Sequence, residues 1–341
     1  MGVSVGLIGA GPWARAHLRA YVHSPQVTEV HLAERSSAAR KALEGEYGII
    51  KRSCGDYHDL LKDESLTIVD VCGAVGARPA AVTAALQAGK HVIVETPLAP
   101  TVGQADELLA AAKRAGGRLC PVLRARFYPA VMAAREIIRS GQIGRPVLGV
   151  CQVVANAGDL EPDPGGGGDK EAMGPLLEAI HQELDVLQHL LGRAQAVSGR
   201  IRSVGDKGRG AGEDTCVLAP EFPDGVLGSI TVTYAAAPGQ PLISRQIIGT
   251  DGTLLISDDP PDETPLSALV DGDMQPVKVH APPNIAAYGT RRAIDHIVGC
   301  LLAEETPRVD ALEARGSLAA LAAAQRSERE GTRVEVQQRK Q

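Results

Sequence analysis

Along the first 122 residues, short apolar runs alternate with stretches of helical spacing. Residues 3–9 (VSVGLIG) are apolar almost throughout and end in glycine, the pattern of a strand buried on both faces. Further runs at 27–34, 68–72, 91–95 and 119–122 predict strands. Helical spacing at 14–22, 79–88 and 103–115 falls between them, the second with a proline in its first turn, where no intrahelical N–H is needed. Strands alternating with helices predict a parallel sheet covered on both faces.

The pattern changes near residue 125. Helical spacing over 128–140 leads into a turn at 141–146, an extended run at 147–155 and a Gly/Pro/Asp loop that reaches Gly168. The four glycines at 165–168 predict a mobile loop near a cleft. A helix over 174–191 precedes five runs rich in Val, Ile and Thr, at 196–204, 214–220, 226–236, 241–249 and 252–257. Turns such as Pro223-Asp224-Gly225 and Thr250-Asp251-Gly252 separate them, so they predict a largely antiparallel sheet. Helices over 288–303 and 311–329 close the pattern. The predicted fold class is α/β: a doubly wound parallel sheet in a domain over 1–124, then an α+β domain over 125–341 with an open, largely antiparallel sheet.

Composition narrows the function classes. A length of 341 residues fits two domains. Two Phe, six Tyr and one Trp leave the core to aliphatic residues and disfavour a site built on aromatic stacking. A net charge of −6 argues against a general nucleic-acid binder, which needs a basic face. No apolar run reaches about 18 residues, and no basic segment precedes the first strand, so neither a membrane span nor a signal peptide is expected. The six cysteines, at 54, 72, 120, 151, 216 and 300, form no C-x-x-C pair and no Cys/His zinc spacing. They predict free thiols in a reducing cytoplasm and no metal site.

The chemistry begins at Gly9-Ala10-Gly11-Pro12-Trp13-Ala14, which matches G-x-G-x-x-G/A between a predicted strand and a predicted helix. In that context Gly9 makes the tight turn, Gly11 lets backbone approach a pyrophosphate, and Ala14 keeps helix and strand close. The helix N-terminus offers unpaired N–H groups to the anion, with Pro12 and Trp13 in the turn. Glu34 ends the second strand, 25 residues after Gly9, where a carboxylate accepts from ribose hydroxyls and repels a 2′-phosphate. NAD is therefore the expected cofactor. Arg35 follows and offers a phosphate partner, which keeps NADP open.

Taken together, the order of motifs resembles the Gfo/Idh/MocA oxidoreductase family over nearly the whole chain. The resemblance is carried by Gly9-x-Gly11-x-x-Ala14 with His17, by Ala88-Gly89-Lys90-His91-Val92-Ile93-Val94-Glu95-Thr96-Pro97-Leu98, and by Arg126-Phe127-Tyr128-Pro129-Ala130. Gly141-Gln142-Ile143-Gly144-Arg145-Pro146, the helix holding Asp185, and Thr306-Pro307 also fit. The family implies a Rossmann domain, a second α+β domain whose open sheet serves homodimer or homotetramer contacts, and substrates among sugars, cyclitols and related polyols. It also implies cofactor contacts at Ala74, Glu95 and Pro97. Three positions depart from the family pattern. Glu95-Thr96-Pro97 stands where Glu-Lys-Pro is common, Gly73-Ala74-Val75-Gly76-Ala77-Arg78 where Thr-Pro-Asn-x-x-His is common, and Glu178 and Gln182 where Asp-x-x-x-His is common.

Hydride transfer needs a partner for the proton on the substrate oxygen or nitrogen, and histidine suits that task near neutral pH. Glu178, His181 and Asp185 are spaced to share one helix edge. His181 is the expected general acid/base, with Glu178 or Asp185 as orienter, Thr96 hydrogen-bonding substrate or cofactor, and Arg126 and Gln182 meeting substrate. A solvated polar helix face is the competing reading of the same residues. The expected activity is NAD(P)-dependent oxidoreduction of a small polar substrate, a sugar, cyclitol or sugar-derived alcohol or ketone. An imine reductase of the kind this family includes, and an NAD-binding sensor or partner subunit without redox chemistry, stay open as alternatives.

Overall fold

The computed structural model describes residues 2–156, 174–205, 212–239, 241–258, 264–270 and 272–339. The glycine run at 165–168 lies outside them. The described residues form two compact units.

The first unit runs through Arg124 and adds Ala286–Arg315. Its opening elements are β1 (Val3–Ile8), α1 (Pro12–Val22), β2 (Val27–Ala33), α2 (Ser37–Glu46), β3 (Ile50–Cys54) and α3 (Tyr57–Leu61). They continue through β4 (Ile68–Val71), α4 (Arg78–Gln87), β5 (His91–Val94), α5 (Val102–Ala115) and β6 (Leu119–Pro121). All strand pairs are parallel, in the order β3-β2-β1-β4-β5-β6. The chain starts in the middle, winds outward one way, then crosses to the other side of β1. That reversal between β1 and β4 opens a crevice at the strands' carboxyl ends, where such sheets bind ligands.

Sequence pattern found the central strands because both their faces are buried. It missed α2, β3 and α3. The β3 sequence IKRSC keeps its three middle residues exposed at the sheet edge, so no apolar run marks it. The sequence-based division also assigned 286–315 to the second domain, whereas these residues cluster with the first unit. Part of the reason is local pairing: Arg118 donates to Thr306 Oγ1 and to the Glu304 carbonyl, and Arg315 pairs with Asp106.

The second unit takes the described residues between Ala125 and Ile285 and those from Gly316 on. Here α6 (Pro129–Arg139), β7 (Pro146–Val154) and α7 (Pro175–Leu191) precede β8 (Ala196–Arg202), β9 (Thr215–Glu221), β10 (Leu227–Thr233), β11 (Leu242–Gly249), β12 (Gly252–Ser257), β13 (Leu266–Val270) and β14 (Asp273–Pro276). Of the closing elements, α8 (Ile285–Leu302) belongs to the first unit from Ala286 on, α9 (Ala311–Glu330) begins in the first unit and continues in the second from Gly316, and β15 (Val334–Glu335) lies in the second. The sheet order is β14-β13-β12-β11-β7-β10-β9-β8-β15, antiparallel except for the β7–β10 pair. Helix α7 packs on β7 and β10. Alternate residues of β9 and β10 are buried, so one sheet face is covered. No described helix is long and apolar enough to cross a membrane.

Candidate cofactor and catalytic sites

The glycine turn follows β1. Gly9 has φ +110°, and a Cβ there would fall 3.0 Å from the backbone nitrogen of Gly73, so glycine is required on both counts. Gly11 precedes α1 with no side-chain cap, and a Cβ on it would meet nothing within 4 Å. The first-turn N–H groups of α1 therefore lie beside open space, with Pro12 starting the helix and Ala14 buried under it. This cradle fits a pyrophosphate. Glu34 sits half-buried just beyond β2, its Oε1 accepting from the Ser36 N–H at 2.8 Å. Arg40 donates to the carbonyls of Glu34 and Arg35, while Arg35 itself is exposed. A carboxylate thus stands where ribose hydroxyls would arrive.

At the carboxyl ends of β4 and β5, Ala74 is exposed, Thr96 is half-buried and Pro97 is buried after a cis peptide bond. Arg78 ties the two loops together, its Nε donating to the Gly73 carbonyl at 2.9 Å and its Nη1 to the Pro97 carbonyl at 2.7 Å. Lys90 is buried and donates to the Asp63 carbonyl at 2.8 Å, bracing the opposite end of the sheet.

Glu95 is placed differently from its expected contact with cofactor. It is fully buried, and both its oxygens are engaged: Oε1 with His17 Nε2 at 2.9 Å and Oε2 with the Thr96 N–H at 3.0 Å. The carboxylate holds the Thr96 turn from beneath. His17 extends the cluster, its Nδ1 lying 2.7 Å from Asp70 Oδ2. The Tyr21 hydroxyl donates to that same oxygen at 2.7 Å, and Cys72 Sγ lies 3.1 Å from His17 Nδ1. Burial alone would discharge His17, but the Asp70 carboxylate beside it outweighs that and holds its pKa well above the ordinary value. Burial pushes Glu95 up, yet the His17 hydrogen bond and charge, with Arg124 and Arg78, bring it below its ordinary value. Burial and the Asp70 charge push the Cys72 thiol up to about 12.

Sequence reasoning did not foresee this cluster, although two signals existed. His17 shares the buried stripe of α1 with Ala14, Leu18 and Tyr21, and Asp70 interrupts the apolar strand IVDV. The His17, Asp70 and Cys72 donor atoms lie within 4.8 Å of one another, close enough to outline a metal ligand set. Their spacing of 2.7 Å between Nδ1 and Oδ2 is that of a hydrogen bond. Ligand atoms around a tetrahedral zinc stand about 3.4 Å apart.

In the second unit, α7 presents the other predicted residues. Glu178 is exposed, Gln182 half-buried, and His181 and Asp185 buried. The polar edge of this helix is therefore largely enclosed. Asp185 forms a bidentate pair with Arg126, at 2.9 Å to Nε and 2.7 Å to Nη2, and accepts from Ser317 Oγ at 2.8 Å. Burial pushes the Asp185 carboxyl up, but Arg126, Ser317 and the charge of His181 hold it below the usual range. Arg126, expected at substrate, thus spends two N–H groups on Asp185. Two residues earlier and on the other side of the helix, Glu183 takes a bidentate pair from Arg245, 2.7 Å from both Nε and Nη2, and Arg245 also pairs with Asp258. His189 is pushed down to about 3 by burial and by the positive charges of Arg126, Arg135 and Arg139.

Comparison with known proteins agrees with both units. Residues 3–122 match the model of an oxidoreductase family with an NAD-binding Rossmann fold, and residues 131–255 match the Gfo/Idh/MocA C-terminal domain. D-apiose dehydrogenase of Paraburkholderia graminis is 28% identical over 345 residues, covering 97% of this chain and 88% of that protein. Levoglucosan dehydrogenase of Pseudarthrobacter phenanthrenivorans is 25% identical over 299 residues, covering 76% and 75%. A solved structure of levoglucosan dehydrogenase in complex with NADH superposes with a TM-score of 0.85 at 21% identity, covering 99% of this chain and 100% of that one. The strand order, the glycine turn and the matches to both domains lead to one conclusion: the chain belongs to the Gfo/Idh/MocA family of NAD-dependent oxidoreductases.

Proposed function

We propose that this protein oxidises or reduces a sugar- or cyclitol-derived alcohol or ketone, using NAD bound at the Gly9–Ala14 turn. The observation that carries this is the turn itself: an obligatory glycine at 9, open space at 11 and an uncapped α1 N-terminus, with Glu34 at the end of the neighbouring strand. The names of relatives such as D-apiose dehydrogenase supply the substrate class. NAD, when bound, supplies or accepts the hydride.

The chain's own groups handle the proton and the positioning. His181, buried on α7, is the general acid/base, with Glu178 three residues before it on the same helix. Asp185 couples to His181 by charge and is fixed by Arg126 and Ser317, so the pair sets the helix edge that carries the histidine. Gln182 and Arg126 contact substrate, the latter while held in place by Asp185. Thr96 stands where the resemblance leads one to expect lysine. Its hydroxyl binds substrate or cofactor without providing a titrating group. The uncovered sheet face exposes Val217, Leu227, Leu242 and Met274, and we assign it to homo-oligomer contact.

Absorbance at 340 nm, recorded with NAD and a panel of D-apiose, levoglucosan and myo-inositol, tests the activity. The expected outcome is turnover of at least one polyol, and a kcat reduced by about 10²–10⁴ in His181→Gln with NAD affinity unchanged. NAD binding without turnover of any polyol would favour a sensor instead.

A further inference from the structure

Arg124 follows β6 closely, at the carboxyl end of the sheet, and its guanidinium carbon lies 4.2 Å from the centroid of the Trp13 ring. Trp13 belongs to the glycine turn after β1. Strands β4 and β5 lie between β1 and β6, so the strands carrying the two side chains are three spacings, or roughly 14 Å, apart. The contact therefore crosses the edge where Gly73 and Thr96 end their strands. The charge also reaches Glu95, directly beneath the Thr96 turn.

The bonding of this arginine is unusual. Its Nε is buried without a hydrogen-bond partner, and no carboxylate or carbonyl among the described residues accepts from its guanidinium. The neighbouring Arg78 is spent on the carbonyls of Gly73 and Pro97. Proteins seldom leave a buried N–H unmet unless a ligand completes it. An aromatic face holds a guanidinium through its flat side while leaving the in-plane N–H fork available, and that fork matches phosphate oxygens.

We propose that Arg124 is a cofactor-anchoring residue of this chain, seated on Trp13 and donating to the anionic pyrophosphate oxygens of the bound dinucleotide. The glycine turn and the α1 N-terminus then supply backbone donors from one side, and Arg124 supplies a full charge from across the sheet edge. This rests on the proposed dinucleotide reading. It assigns to Arg124 a role that the glycine motif alone does not contain.

Trp13 is the chain's one tryptophan, so all indole emission comes from this turn. Titration of the full chain with NAD⁺, followed by Trp13 emission and by calorimetry, is compared between wild type, Arg124→Gln and Arg124→Lys. Because no described group accepts a hydrogen bond from Arg124, its loss orphans none of them, and the thermal midpoint of Arg124→Gln should stay near that of wild type. The expected result is an NAD⁺ affinity lower by about ten-fold or more in Arg124→Gln, partly recovered in Arg124→Lys. Inorganic pyrophosphate should compete with NAD⁺ in wild type and lose that competition in Arg124→Gln, and the salt dependence of binding should flatten. Wild-type affinity and undiminished pyrophosphate competition in Arg124→Gln would overturn the proposal while leaving the dinucleotide reading intact. So would competition by D-glucuronate, with pyrophosphate inert, since the arginine would then serve a carboxylate. A wild type that binds no NAD⁺ at all would overturn both.

Discussion

His17 has a carboxylate against each ring nitrogen, Asp70 on one side and Glu95 on the other, and all three side chains are buried. One imidazolium therefore offsets two enclosed negative charges. Replacing it by an apolar residue of similar bulk removes the cation and leaves both carboxylates unpaired. His17→Leu is expected to lower the unfolding free energy at pH 7 by about 3–5 kcal/mol, measured by urea denaturation. The pH dependence has a definite sign. The folded pKa of His17 is raised above its unfolded value near 6.5, so its contribution is fully present below that pH. It drains away as pH rises through the folded pKa. The stability gap between wild type and His17→Leu should thus narrow on the alkaline side. An imidazole titration by NMR that places the folded His17 pKa at or below its unfolded value would mean that the histidine is not held charged. At this scale the turn at Gly9 and Gly11 was legible from sequence, because it acts through backbone shape. The His17 cluster was not, since the partners of His17, Asp70 and Glu95, lie 53 and 78 residues further along the chain.

Helix α7 shows the same limit for an element. Its sequence LLEAIHQELDVLQHLL alternates apolar and polar residues, which fits a helix with one wet face. The observed helix buries Glu183, Asp185 and Gln188 as well as its leucines. Buried arginines from elsewhere in the second unit make that possible, Arg126 for Asp185 and Arg245 for Glu183. Hydropathy cannot distinguish a carboxylate facing water from one facing a guanidinium. Asp185→Ala should destabilise the protein by about 3–5 kcal/mol, since it takes from buried Arg126 its bidentate carboxylate. Asp185→Leu combined with Arg126→Met should recover much of that loss in the same thermal-unfolding measurement. A double variant no better than Asp185→Ala would show that the pair does more than neutralise itself. The edge strand β3 escaped detection for the opposite reason, as exposure removed the apolar pattern that marks the central strands, and β15, with two residues, is too short to carry a pattern.

For the whole molecule, a ligand that binds the folded chain alone raises its stability by mass action. NAD⁺ at about 100 times its Kd should add about 2.7 kcal/mol, seen as a higher unfolding midpoint in calorimetry. An unshifted midpoint at millimolar NAD⁺ would contradict the proposed cofactor site. The sequence by itself determined the fold class and the glycine turn between β1 and α1. Both are local: apolar runs of the right length make buried strands, and a glycine turn between strand and helix shapes itself. Only the tertiary structure decided which charges are neutralised and by whom. It set His17 between Asp70 and Glu95, Asp185 on Arg126, and Arg124 over Trp13. The physical reason is range. Backbone preference and hydropathy act between neighbours in the chain, whereas a buried charge is stabilised by groups that only folding brings within 3 or 4 Å, roughly the reach of a hydrogen bond or a close ion pair.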